Sequence, residues 1–190
     1  MNVQSQLLGD FVVVGDLGEW KISASSVLVE PKLEHLKISL SAPAPLTPPF
    51  LRLDNKIPQT DMFAKWTSGG IFYRGIPPNW WSRTHSDLAT QVPIVQVNNN
   101  ADRNRFLIAC SDALRFVVFH CGILEEGCAL TTSIRMFEQA EAPIQNYEFI
   151  LRIDMRDCFY ADALQEASKW FASFEEYKPT IPPKAAYDSI

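Results

Sequence analysis

No C-x-x-C pair, no glycine-rich phosphate loop and no apolar run long enough to span a bilayer occurs in this chain of 190 residues. The four cysteines (Cys110, Cys121, Cys128, Cys158) have no metal-ligand spacing, so a zinc site has no support and no metal is expected. Three of them lie in or beside apolar strand-like runs, where a free thiol behaves as a small buried hydrophobe. The three histidines (His35, His85, His120) are scattered, and no nucleophile motif accompanies them. Gly69-Gly70 lacks a strand–loop–helix context, and no cofactor is implied. No basic cluster exceeds two or three residues. The net charge is −5, which argues against nucleic acid or an anionic membrane as partner. Met1–Gln6 carries no positive region followed by an apolar one, so a cytoplasmic location is the default expectation, with a removed leader as the alternative.

What is present suggests a loop-rich β protein. The chain is 47% hydrophobic and 21% charged, with 13 prolines, 8 glycines and 12% aromatic residues. That describes one large domain or two small ones with a self-sufficient core. Phe11–Val14, Glu19–Ala24 and Leu36–Leu40 read as short strands. Ala42–Pro49 holds four prolines in eight residues and reads as a loop or edge connection, not a core strand. Phe50–Leu53 is a further short strand, and Asn55–Trp81 reads mostly as loop. Ile94–Val97 ends at an asparagine tract. Phe106–Cys110 and Leu114–His120 read as a tight hairpin across Ser111–Ala113. Cys128–Phe137 follows a turn at Glu125–Gly127. Tyr147–Met155 alternates, with Tyr147, Phe149, Leu151, Ile153 and Met155 on one face and Glu148, Arg152 and Asp154 mostly on the other. About four long antiparallel strands predict a sandwich.

The period then changes. Phe159, Ala163, Ala167, Trp170 and Phe174 recur at three- or four-residue steps, which predicts an amphipathic helix starting near Tyr160 or Ala161. Lys178–Pro183 places three prolines in five residues and forms a strap that no helix can continue through.

Three of the five tryptophans (Trp66, Trp80, Trp81) fall between residues 66 and 81. Adjacent strand residues point to opposite faces, so Trp80 and Trp81 cannot both enter one core. The exposed indole is available to stack on a ligand or to pack against another domain.

Pro78-Asn79-Trp80-Trp81-Ser82-Arg83, followed by Asp87–Gln96, resembles the N-terminal domain of α-galactosidases of glycoside hydrolase family 36 and their raffinose-synthase-like relatives. The succession of strand Tyr147–Met155, helix Ala161–Phe174, proline-rich strap and aromatic-led Tyr187–Ile190 is similar as well. The likeness runs from about Phe63 onward. It implies an all-β fold: an antiparallel, supersandwich-like β-sandwich with one C-terminal α-helix and a proline-rich strap. Residues 1–177 would form the sandwich and its connecting helix, and 178–190 a linker towards a catalytic (β/α) barrel of the same polypeptide. In the family both catalytic aspartates sit on the barrel, so no catalytic residue is expected here and the chain alone should be inactive. Asp87, Asp154 and Asp157 read as solvated carboxylates.

The resemblance leaves two uses for the tryptophans. Trp66, Trp80 and Trp81 would stack on sugar, with Arg74 and Arg83 bonding hydroxyls, or the indoles would pack between sandwich and barrel while the arginines form surface salt bridges. The rival to barrel support is a free-standing carbohydrate-binding sandwich with the same tryptophans as its platform. Homo-oligomer contacts are a further candidate role.

Overall fold

The computed structural model describes residues 1–49, 51–58, 65–68, 71–74, 80–83, 94–98, 101–111, 116–124, 127–135 and 143–174. For 56–58, 65–68, 71–74, 80–83, 116–124 and 127–135 it describes the backbone alone. These residues form an all-β, sandwich-like fold of two antiparallel sheets followed by one helix. The six-stranded sheet runs in the order β1 (Asn2–Ser5), β2 (Gly9–Val14), β5 (Leu51–Pro58), β12 (Gly127–Arg135), β11 (Phe116–Leu124) and β8 (Trp80–Arg83). The seven-stranded sheet runs β3 (Lys21–Glu30), β4 (Leu33–Leu46), β13 (Ile144–Asp154), β10 (Asn104–Cys110), β9 (Ile94–Asn98), β6 (Lys65–Ser68) and β7 (Ile71–Arg74).

Alternation explains the core. Leu36, Ile38 and Leu40 of β4 and Tyr147, Phe149, Leu151 and Ile153 of β13 are buried in one cluster with Val3, Phe11, Leu51 and Leu53 of the other sheet. Side chains from both inner faces therefore interdigitate, as in a face-to-face sandwich. Strand β10 is buried on both sides. Phe106, Ile108 and Cys110 enter the inter-sheet core, while Leu107 and Ala109 meet the helix. A strand covered on both faces needs apolar residues at every position, and Phe106–Cys110 supplies them.

The helix, α1 (Tyr160–Ala172), lies on the outer face of the seven-stranded sheet. Ala163, Ala167 and Phe171 pack there on Ile94, Leu107 and Ala109, with Leu164 and Trp170 at the margin. The small Ala163 and Ala167 let the helix approach the small Ala109 closely. Phe171, rather than Phe174, completes the buried stripe. The helix thus folds back as a third layer over the sheet.

Several expectations change. Phe106–Cys110 and the strand after Ser111 are not a hairpin: β10 pairs with β9 and β13, whereas β11 pairs with β12 and β8 in the opposite sheet. Short spacing between two apolar runs mimics a hairpin, but it serves equally for a crossing between layers. The tract Asn55–Trp81, read as mostly loop, contains the end of β5, both β6 and β7, and the start of β8. From residue 92 onward the expected four or so long strands are five, β9 to β13, and the described residues hold thirteen strands in all. Strand β4 runs through Pro43 and Pro45 to Leu46. Its pairing with β3 begins only at Ser41, so the prolines lie where β4 has β13 alone as neighbour. There a missing N–H interrupts no second ladder. The strap 178–183, and with it the 177/178 boundary, lies outside the described residues.

Candidate functional site

The backbone divides the expected sugar-stacking residues between the two sheets. Trp66 lies on β6, opposite Val97 of β9 and Tyr73 of β7. Arg74 ends the edge strand β7, opposite Lys65. Trp80 and Trp81 lie on the edge strand β8, opposite Cys121 and His120 of β11, and Arg83 faces Val118. No single sheet carries all three tryptophans. Both groups do stand at the ends of their sheets away from β1 and β3, the corner where the layers are hydrogen-bonded together.

The described side chains concentrate polarity elsewhere, under and beside α1. On the outer face of the seven-stranded sheet, Arg152 and Asp154 are 5% and 0% exposed. Asp154 is therefore not the solvated carboxylate that alternation on β13 implied. The helix covers that face and converts it from wet to buried. Arg156 donates Nε to Asp154 Oδ1 at 3.0 Å and Nη2 to Oδ2 at 2.6 Å, and its backbone N–H reaches Oδ1 at 3.1 Å. The same guanidinium bonds Glu30 Oε2 at 2.9 Å and also Glu166 of α1. Arg152 adds contacts of 3.6 Å to Asp154 and 3.4 Å to Glu166. The bonds to Asp154 raise the Arg156 pKa above its usual range. Burial lowers that of Arg152, against the pull of Asp154.

An amide relay positions the start of the helix. Gln96 Nε2 donates to Asn104 Oδ1 at 3.2 Å and to the carbonyl of Tyr160 at 3.0 Å. Asn104 Nδ2 holds the carbonyls of Asp154 and Arg156. The N–H of Tyr160 reaches the carbonyl of Asp102, a residue with a left-handed φ of 57°. Phe159 at the N-cap supplies no side-chain bond, so the sheet orients this terminus in place of a capping residue. Asp162 in the first turn and Lys169 in the last suit the helix dipole.

Trp170 ends the seam against His35 of β4, their ring centroids 5.5 Å apart. Burial, then the nearby Arg152, lowers the His35 pKa from its ordinary 6.5. The sign follows from proton binding. Between the lowered folded value and 6.5 the unfolded chain holds more of this proton, so stability rises with pH across that window. Acidification from pH 7 through 6.5 is expected to lower the unfolding midpoint, and His35→Gln to flatten the fall. Denaturant melts of both proteins across this range check it. A slope unchanged in the variant would assign the effect to another group.

Chemically, this seam is a clamp. Both carboxylates of the seam, Asp154 and Glu166, are engaged by guanidinium groups. No group of three metal-ligating side chains occurs among the described residues. Asp157 is 66% exposed and pairs with Arg103 at 2.9 Å, while Asp87 lies outside the described residues. Cys110 is buried, and Cys158 is half-buried with its pKa pushed up by burial. The spacing Arg152-x-Asp154-x-Arg156 places two charges on the outer face of β13 and a third just past its end. Glu166 completes the clamp only through the return of the helix, so the sequence held the parts without their partner.

No helix among the described residues is long and apolar enough to cross a membrane. Comparison with protein-family models, with curated proteins and with solved structures finds no match.

Proposed function

We propose that this chain is the non-catalytic N-terminal sandwich of an α-galactosidase-like glycoside hydrolase, supporting a catalytic (β/α) barrel of the same polypeptide and lining part of its site. The observation that carries the reading is the order of elements: a two-sheet antiparallel sandwich whose last long strand, β13, leads directly into a docked helix, α1. That is the succession the family resemblance implies. The Pro78–Arg83 motif adds to it, since Trp80, Trp81 and Arg83 belong to a terminal strand of their sheet. Trp66 and Arg74 lie in the terminal pair β6–β7 of the other sheet. In this reading those strands form the flank turned towards the barrel.

The test is the source transcript together with an activity assay. An open reading frame running past the codon for Ile190 into a barrel of several hundred codons is expected. The 190-residue chain should release nothing from an aryl α-galactoside. A stop codon directly after Ile190, or turnover by the chain alone, would overturn the reading. The second reading is a free-standing carbohydrate-binding sandwich, favoured by the tryptophans on terminal strands. Calorimetric titration with galactose and raffinose separates the two, because only the binding module should take up sugar without a barrel, and Trp66→Ala or Trp81→Ala should then abolish it.

A further inference from the structure

Three of the four strands that end the two sheets are short: β1, β7 and β8 have four residues each. The fourth, β3, has ten and pairs only with β4 among the described residues. Only Ile22 in it is buried. Val27, Leu28 and Val29 are 59%, 45% and 50% exposed. Edge strands are normally blunted by shortness, by proline or by a central charge. Strand β3 has none of these. Its interior is Ile-Ser-Ala-Ser-Ser-Val-Leu-Val, and its only charges, Lys21 and Glu30, stand at its two ends.

We propose that β3 is a homodimerisation edge, on which a second copy of this chain pairs antiparallel about a two-fold axis at Ser25. The inference stands independently of the glycosidase reading. Charge complementarity selects the occupant and the register. A two-fold axis makes each strand its own partner, so a strand with lysine at one end and glutamate at the other forms two opposite-charge contacts with its copy. The two charges also share a face. Lys21 stands opposite Ser41 and Glu30 opposite Leu33, both odd positions of β4, because a register shift between Leu28 and Glu30 turns the strand end over. With the axis at Ser25, Lys21 meets Val29 and Glu30 of the second copy. An axis at Ser23 or Val27 would leave one of the charges overhanging.

The backbone agrees with that register. Gln6 Nε2 donates to the Ser26 carbonyl at 3.3 Å from the β1 side, which places that carbonyl on the open edge. Even-numbered residues of β3 then present their N–H and C=O groups outwards. About Ser25, Ala24 faces Ser26 of the copy and Ile22 faces Leu28, so outward groups meet outward groups. The bond from Gln6 is long and exposed, and a shorter one of 2.7 Å to Ser26 Oγ remains when a strand takes the carbonyl. The Glu30 carboxylate bonds Arg156 yet is still 55% exposed, so it can accept from Lys21 as well. One added strand buries little area, and the expected dimer is weak, with a dissociation constant in the micromolar range.

Sedimentation velocity over a concentration series should show a monomer–dimer equilibrium in the native chain and a monomer throughout for Val27→Lys, whose exposed position leaves the fold intact by circular dichroism. Register is read by cross-linking. At the axis, Ser25 meets its copy in a non-hydrogen-bonded pair with Cα atoms about 4.5 Å apart, so Ser25→Cys should form a disulfide dimer on a non-reducing gel. Ser23→Cys would lie four residues out of register, about 13 Å from its copy, and should not, nor should the native chain. A native chain monomeric at every concentration overturns the proposal. So does a dimer indifferent to Val27→Lys, or equal cross-linking at Ser23 and Ser25.

Discussion

Asp154→Ala is expected to lower the unfolding free energy by about 3–5 kcal/mol, the usual cost of removing one partner from a buried ion pair. Asp154 is fully buried and takes three bonds from Arg156. Beside it, Arg152 has a side chain only 7% exposed. Without the carboxylate that guanidinium keeps Glu166, itself half-exposed, at 3.4 Å as its nearest opposite charge. The loss should fall on the whole seam, because Arg156 also joins Glu30 of β3 to Glu166 of α1. Urea unfolding followed by circular dichroism measures it. Asp157→Ala is the control, since that carboxylate is exposed, and it should leave the midpoint near the native value. If the two variants melt alike, the buried clamp is not what holds the helix down.

Glu34→Ala should have the next largest effect, about 2–4 kcal/mol, because it strands several donors away from water at once. Glu34 of β4 is fully buried at the corner between the sheets. It accepts from Ser5 Oγ and Ser26 Oγ, each at 2.6 Å, and from the N–H groups of Gln6 and Leu7, each at 3.0 Å. Ser5 Oγ in turn accepts from the N–H groups of Leu7 and Leu8. One carboxylate on the seven-stranded sheet thus organises the β1–β2 turn of the six-stranded sheet. Gly9, at a left-handed φ of 74°, closes that turn. Glu34→Gln keeps the volume and one acceptor oxygen and should cost less. Hydrogen exchange gives the sharper reading: the Gln6 and Leu7 amides should lose protection in Glu34→Ala before the rest of the sheet does. Unchanged exchange there would show that the turn stands without the carboxylate.

The two residues show what a local pattern leaves open. Alternation on β4 sets His35 and Lys37 on the face opposite Leu36, Ile38 and Leu40, and makes Glu34 the one charged residue beside those three. Glu34 shares the inner face with them at the end of the sandwich where the core gives way to the β1–β2 turn. His35 lies on the outer face and is covered by Trp170. Apart from Ser26, eight residues from Glu34, the partners are remote in sequence: the contacts span 29 residues for Ser5 to Glu34 and 135 for His35 to Trp170.

Apolar runs and alternation by themselves determined the β class, the inner face of β13 and the presence of β2, β4, β9 and β10: a half-buried strand places its apolar residues at every second position, and a strand covered on both faces, such as β10, carries them throughout. The change to a period near 3.6 located the helix at its observed start. Tertiary structure decided the rest. Whether Phe106–Cys110 turns back or crosses to the other layer depends on which strand offers a matching face, a matter of packing over long separations. The burial of Arg152 and Asp154 depends on where α1 lands. Tertiary structure also decides the edge position of β3: its sequence reads as an ordinary strand, and the sheet order gives its ten residues no second neighbour among the described residues. Local chemistry sets which elements form, and the competition among faces for cover sets which side chains become buried.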